Sequence, residues 1–311
     1  MQDLSFTAPE VSTPSISSSA MLVELSISVW TGRKKDRKAQ AQVEADNQTA
    51  KNMTNVTKKL MGDHPLLTQI QKHAAYIRTN IHYDMTLPWS DTGPRALTTA
   101  RYFDYHKRMG AAKAEHEELV TRFLDEYEYD LMSLQARQQA LGQLFNASDY
   151  PSVSELTNKF GFRLNYMPMP ETGDFRLDVG TEAQEVLKAA YADFYQRKTV
   201  EAMNDVWKRS YKVLTHVSER LADPEPGFAG VVTKEGRKKF SDTLIEDIVE
   251  MTEVLKTCNI TQDEKMLRME RHLSEVLFGL TTDAVKDDRA LRLDTKQQID
   301  DAIANLPSLD F

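Results

Sequence analysis

One cysteine, Cys258, serves the whole 311-residue chain, so no disulfide can close within it; the expectation is a protein kept in a reducing cytoplasm. No apolar run approaches the roughly 18 residues that a membrane-spanning helix needs. The first twenty residues, MQDLSFTAPEVSTPSISSSA, have neither a basic start nor an apolar stretch and do not read as a secretion signal. Positive charge is not in excess either. Lys and Arg number 39 against 47 Asp and Glu, a net charge of −8, which argues against general nucleic-acid coating or adhesion to an anionic membrane but leaves room for a local basic patch.

The signatures of common chemistries are missing too. The chain has no G-x-x-x-x-G-K-S/T or G-x-G-x-x-G phosphate loop, no G-x-S-x-G elbow and no H-E-x-x-H. C-x-x-C cannot occur with one cysteine. None of the seven histidines has a glutamate three residues before it, which closes the di-iron reading of an acidic helical protein. No cofactor or metal is expected, and no catalytic residue can be named.

What is present is helical periodicity broken by short alternating stretches. Residues 1–20, rich in Ser, Thr and Pro, read as a disordered tail, and residues 21–311 as one elongated domain. MLVELSISVW alternates, with Val23, Leu25, Ile27 and Val29 on one side and Glu24, Ser26 and Ser28 on the other, which predicts a strand over 21–30. A basic run from Arg33 to Lys38 follows, then a polar helix to about Met61. Asp63 reads as the N-cap of a helix with Pro65 in its first turn and Leu66, Ile70, Ile77 and Ile81 as its stripe. From about Thr98 to Phe145 the apolar residues step by three, four or seven, which predicts a helix of roughly 70 Å. Ser152 with Glu155 is a capping box. FGFRLNY and DFRLDV alternate around MPMPETG, a hairpin over 160–179 that the strand near residue 25 would join as a three-stranded antiparallel sheet. A second long helix runs from Thr181 to about Leu221, and further helices are expected over 234–258, from a Thr261/Glu264 capping box to about Leu280, and over 294–306. The expected class is mainly α with a small β element (α+β): a long antiparallel, coiled-coil-like helical hairpin with a small sheet and additional packed helices.

Several residues invite a functional reading. His64, His73 and His82 stand nine apart, half a turn out of phase on one helix, so they would alternate sides rather than converge on a metal. His116 falls on the stripe of Met109, Ala112, Leu119 and Phe123, where a hydrogen-bonded core histidine is expected. Cys258 reads as a small buried hydrophobe. DEYEYD, Asp125 to Asp130, reads as a solvated helix face. Two basic clusters, Arg33, Lys34, Lys35, Arg37, Lys38 and Arg237, Lys238, Lys239, are candidate contacts for nucleic-acid phosphates, although the first has no interleaved aromatic to stack on bases. The loop LPWSDTGPRAL, Leu87 to Leu97, reads as a structural corner in preference to an active-site lid, with Trp89 filling a crevice and Asp91 pairing with Arg95 or capping the next helix. The candidate interaction residues are Trp30, Arg33, Lys34, Lys35, Trp89, Asp91, Arg95, Phe175, Arg176 and Asp178.

WTGRKK (Trp30 to Lys35), LPWSDTGPRAL followed by RYFDY, YPSVSEL then KFGF, and PETGDFRLDVG occur in that order over most of the chain. Together they resemble a protein family encoded by tailed phages and prophages, often beside genes for a MoxR-type AAA ATPase and a von Willebrand A-domain protein. The resemblance implies a phage protein acting in the host cytoplasm, an accessory to an ATPase, and carries over no catalytic residue. The expected function is therefore a non-enzymatic helical interaction protein with a protein partner or a second copy, the alternative being a nucleic-acid-associated factor that uses the basic clusters.

Overall fold

The computed structural model describes residues 16–131, 134–170, 181–222 and 243–307. The second strand of the expected hairpin, with Phe175, Arg176 and Asp178, lies outside the described residues, as do the cluster Arg237, Lys238, Lys239 and the first fifteen residues of the expected tail. In chain order the described elements begin with α1 (Ile16–Ser19), β1 (Ala20–Ser28), β2 (Arg33–Lys35), α2 (Arg37–Asp46), β3 (Thr57–Lys59) and α3 (Pro65–Tyr76). α3 continues as a π-helix over Ile77–Tyr83. β4 (Arg95–Thr98), α4 (Tyr102–Leu131), α5 (Leu134–Leu141), α6 (Val153–Thr157) and β5 (Gly161–Pro168) follow. α7 (Thr181–Leu221), α8 (Leu244–Thr257), α9 (Glu264–Leu277), α10 (Thr282–Asp287) and α11 (Arg289–Ala304) complete them. The protein is mostly helical with one small three-stranded antiparallel sheet.

The sheet has the order β4-β1-β5, with β1 in the middle. The alternation read in β1 holds from Val23 to Ser28, with Val23 and Ile27 buried and Glu24, Ser26 and Ser28 exposed. Leu22 is buried as well, because β1 pairs antiparallel with β4 at that point, Leu22 opposite Ala96. β5 keeps its alternation, Arg163 and Asn165 outward and Phe162, Leu164 and Tyr166 half-buried. Gly161 lets β5 approach β1: a Cβ there would stand 2.7 Å from the Ser28 hydroxyl oxygen. The second neighbour of β1 is thus β4, the end of the LPWSDTGPRAL loop, which was read as corner and helix start. Ala96 and Leu97 are fully buried and the backbone of Ala96 also exchanges hydrogen bonds with Leu87, so the segment is held extended and α4 starts only at Tyr102.

Four further boundaries differ from the sequence reading. The polar helix expected to reach Met61 is α2 alone, started by Asp36, whose carboxylate accepts the amides of Lys38 and Ala39, and ended at Asn47. Gln48 and Asn52 then take left-handed φ values of 53° and 67°, and the chain returns as β3 beside β2. Asp63 does not cap α3; His64 holds that position without a side-chain bond, and Asp63 pairs with Lys59 at 2.7 Å. Pro65 opens α3 as expected. The Ser152/Glu155 capping box of α6 is present. At α9 the cap is Asp263 rather than Thr261, and α11 begins earlier than expected because Asp288 caps it.

Where one domain was expected after residue 20, the chain clusters into two compact units. The first takes the described parts of Met1–Val23, Thr86–Tyr102 and Tyr166–Phe311; the second takes Glu24–Met85 and Phe103–Asn165. The two long helices, expected to bury each other, fall one in each unit and find partners there. α7 packs with α8 and α11 around Val206, Trp207, Leu214, Val217 and Leu221. In the second unit α4 contributes Leu119, Phe123 and Tyr127 to a core completed by Trp30, Leu60, Leu66 and Ile70.

Candidate functional site

Three histidines of the second unit meet α4 at three levels. His64 lies edge-on to Phe123 at 5.3 Å and 3.6 Å from the Glu126 carboxylate. His73 shares a hydrogen bond with the Ala112 carbonyl at 3.1 Å and stacks on His116 at 6.0 Å. His82, buried, bonds through Nδ1 to the Tyr105 hydroxyl at 2.8 Å. They do not alternate sides as helical spacing predicts. His64 stands before the helix, and the π-helix from Ile77 changes the angle per residue before His82. Nor do they converge: each has its own partner. Among the described residues no three His, Cys, Asp or Glu side chains are placed to hold a metal ion.

His116 is buried as expected, between His73 and Phe162, but neither ring nitrogen has a hydrogen-bond partner. Burial, then the nearby His73 and Arg78, hold its pKa below the ordinary imidazole value; Glu117 pulls the other way. Cys258 is buried, and burial raises its thiol pKa although the Arg101 guanidinium lies 3.7 Å from Sγ. Such a thiol is a packing group rather than a nucleophile. On the acidic stretch, Asp125, Glu126 and Glu128 are exposed while Tyr127 is buried and donates its hydroxyl to the Pro151 carbonyl.

The loop residues are held firmly in the first unit. Trp89 is buried edge-on against Tyr195 at 5.2 Å. Where Arg95 or a helix amide was expected as the partner of Asp91, its carboxylate meets Lys198 at 3.0 Å, and Lys198 also reaches Glu201 at 2.8 Å. Those two carboxylates, Glu201 foremost, raise the Lys198 pKa. Arg95 turns to the buried Thr86, donating to its hydroxyl at 2.7 Å and its carbonyl at 3.2 Å, while Arg209 donates to the same carbonyl at 2.9 Å. Trp30 is likewise a core residue, edge-on to Tyr127 at 5.8 Å.

The first basic cluster is divided by its strand geometry. β2 and β3 pair Arg33 with Lys59, Lys34 with Lys58 and Lys35 with Thr57. Directly opposed residues share a face and neighbours alternate, so Lys34 and Lys58 point one way and Arg33, Lys35 and Lys59 the other. Asp149 sits against the first pair, 3.0 Å from Lys34 and 2.6 Å from Lys58, with Asp36 3.5 Å from Lys58. Gly32, at φ 64° and where a Cβ would stand 2.8 Å from Leu67 Cδ2, sets the turn into the ribbon.

Sequence reading missed the contrast along α7. From Gln184 to Phe194 no residue is buried, although this stretch carries Val186 (65% exposed), Leu187, Tyr191 and Phe194. Tyr195, the next residue, is buried. Further along, an open groove of about 690 Å³ is lined by Pro88, Asp193, Arg197, Val200, Glu201 and Lys208. The periodic stripe was legible in the sequence; which half of it is covered was not.

No family model matches the chain, and neither does any curated protein or solved structure. The likeness to the phage family therefore rests on the quoted motifs. Among the described residues no helix is long and apolar enough to cross a membrane.

Proposed function

We propose that the protein is a non-enzymatic helical scaffold of a tailed phage that binds another protein through the N-terminal half of α7, as accessory to a AAA ATPase in the host cytoplasm. The observation that carries the binding role is the apolar stretch of α7 from Val186 to Phe194, in which no residue is buried. Leu187, Tyr191 and Phe194 fall at helical spacing on this stretch, beside the exposed Val186; Tyr191, half-buried, marks where this face meets the core of the first unit. An amphipathic helix face of this kind lies readily against a partner helix or in a groove. Mixed charges along the neighbouring groove, Asp193, Arg197, Glu201 and Lys208, supply a polar rim. The ATPase as partner follows from the resemblance alone.

The test uses a MoxR-type ATPase, the partner that the resemblance implies. Wild-type protein should bind it and change its ATP turnover. The double variant Val186→Glu/Leu187→Glu should melt as the wild type does and weaken binding at least about tenfold, as loss of one interface anchor does. Equal binding by the double variant would remove α7 as the contact, and absence of binding by the wild type would remove the ATPase.

A further inference from the structure

We infer that Arg33, Lys35, Arg37 and Lys38 form a sequence-independent contact for the phosphate backbone of duplex nucleic acid, separate from the α7 surface. The local charges are sorted in a way that packing does not require. Lys34 and Lys58 are directly opposed across the ribbon, as are Arg33 and Lys59, and like charges in that position destabilise a strand pair. Asp149 offsets the first pair and Asp63 neutralises Lys59. Asp36 is used by the amides of α2 and by Lys58.

Nothing comparable serves the other four cations. Arg33, Lys35, Arg37 and Lys38 are exposed, and among the described residues none of them is in an ion pair within 4 Å. Arg33 acts on Asp63 only as its smallest influence, behind Lys59. Arg37 and Lys38 also occupy the first turn of α2, which has no acidic residue, at the end where the helix dipole disfavours cations. In a chain of net charge −8 this is a concentrated local excess of positive charge. A polyanion laid across it relieves the repulsion and releases its own counterions.

The shape selects among polyanions. A two-stranded ribbon fits the major groove of a duplex, about 12 Å wide. The cluster carries no aromatic residue for stacking on unpaired bases, which disfavours single strands. Lys and Arg aimed at phosphates position a protein without reading sequence.

The experiment is fluorescence anisotropy of the full chain with a random duplex of about 20 base pairs between 50 and 200 mM salt. Four phosphate contacts give a log–log slope of about −3 to −4, a loss of affinity of roughly a hundredfold over that range. Each of Arg33→Gln, Lys35→Gln, Arg37→Gln and Lys38→Gln should lower the slope by about 1, and the quadruple variant should not bind measurably. Lys107→Gln, a cation on α4, should bind as the wild type. Should the quadruple variant melt early, Lys35→Gln/Lys38→Gln carries the test. The proposal is overturned by no binding of the folded wild type, by an unchanged slope in the variants, by tighter binding to the single strand, or by equal displacement with polyglutamate, which would make the site one for an acidic protein.

Discussion

His116 shows how much one side chain's surroundings decide. It is 2% exposed, with neither nitrogen bonded, and faces His73, Arg78 and Glu117. Because burial and two cationic or titrating neighbours lower its pKa, the folded state prefers the neutral ring. Above the unfolded value of about 6.5 both states are neutral and the group costs no charge burial. As pH falls below that value the unfolded chain takes up the proton first, and stability is lost as pH falls through the depressed folded pKa. The melting temperature of the wild type should therefore drop more between pH 7.5 and pH 5 than that of His116→Leu; parallel curves would show that the ring is not held neutral. Trp89 is the second residue on which the fold turns. Trp89→Ala should cost about 3 to 5 kcal/mol in urea denaturation, as for other buried aromatics. Near-neutral stability would mean that the loop is a surface rather than a corner. That Trp89 fills a crevice was legible in the sequence, since a bulky aromatic between two prolines has little other use. Arg95 and Asp91 were not, because their partners Thr86 and Lys198 depend on which chain segments meet.

At the scale of elements, local chemistry located some ends and missed others. The Ser152/Glu155 box marks the start of α6 because both halves of the signal lie within four residues. α7 begins and ends where its periodicity does. α4 starts at Tyr102 rather than about Thr98, because Thr98 ends β4, which is drawn into the sheet by pairing with β1. The stripe of α4 and that of α7 from Tyr195 onward are core faces, each within its own unit. Phe123→Asp and Trp207→Asp should each destabilise by more than about 3 kcal/mol, since each places a charge without a partner at a buried position. Circular dichroism melts check this, and an unchanged transition in either variant would remove that residue from its core. The basic run behaves differently. Its sequence predicts charge but not direction, and only pairing with β3 separates Lys34 from Arg33 and Lys35.

At the scale of the molecule, the chain builds each unit from segments far apart in sequence. The second unit needs Trp30, Leu60, Leu66 and Ile70 from one segment and Leu119, Phe123, Tyr127 and Leu156 from another. Long loops must close before these contacts form. A fragment of residues 103–165 should accordingly show no cooperative melt by itself, and should gain one on addition of a fragment of residues 24–85. Cooperative unfolding of the first fragment alone would mean that α4 and α6 suffice for a core.

The sequence by itself determined the class, mainly helical with a little sheet, because periodicities of 3.6 and 2 are properties of neighbouring residues. It also determined the Ser152/Glu155 capping box of α6 and the burial of His116, Cys258 and Trp89. Tertiary structure alone decided that β4 flanks β1 opposite β5, that the two long helices belong to different units, and that no residue from Gln184 to Phe194 is buried. Those outcomes depend on which apolar faces and strand edges come together across scores of residues. A residue's own spacing shows that a face exists, while what covers it is a matter of the rest of the chain.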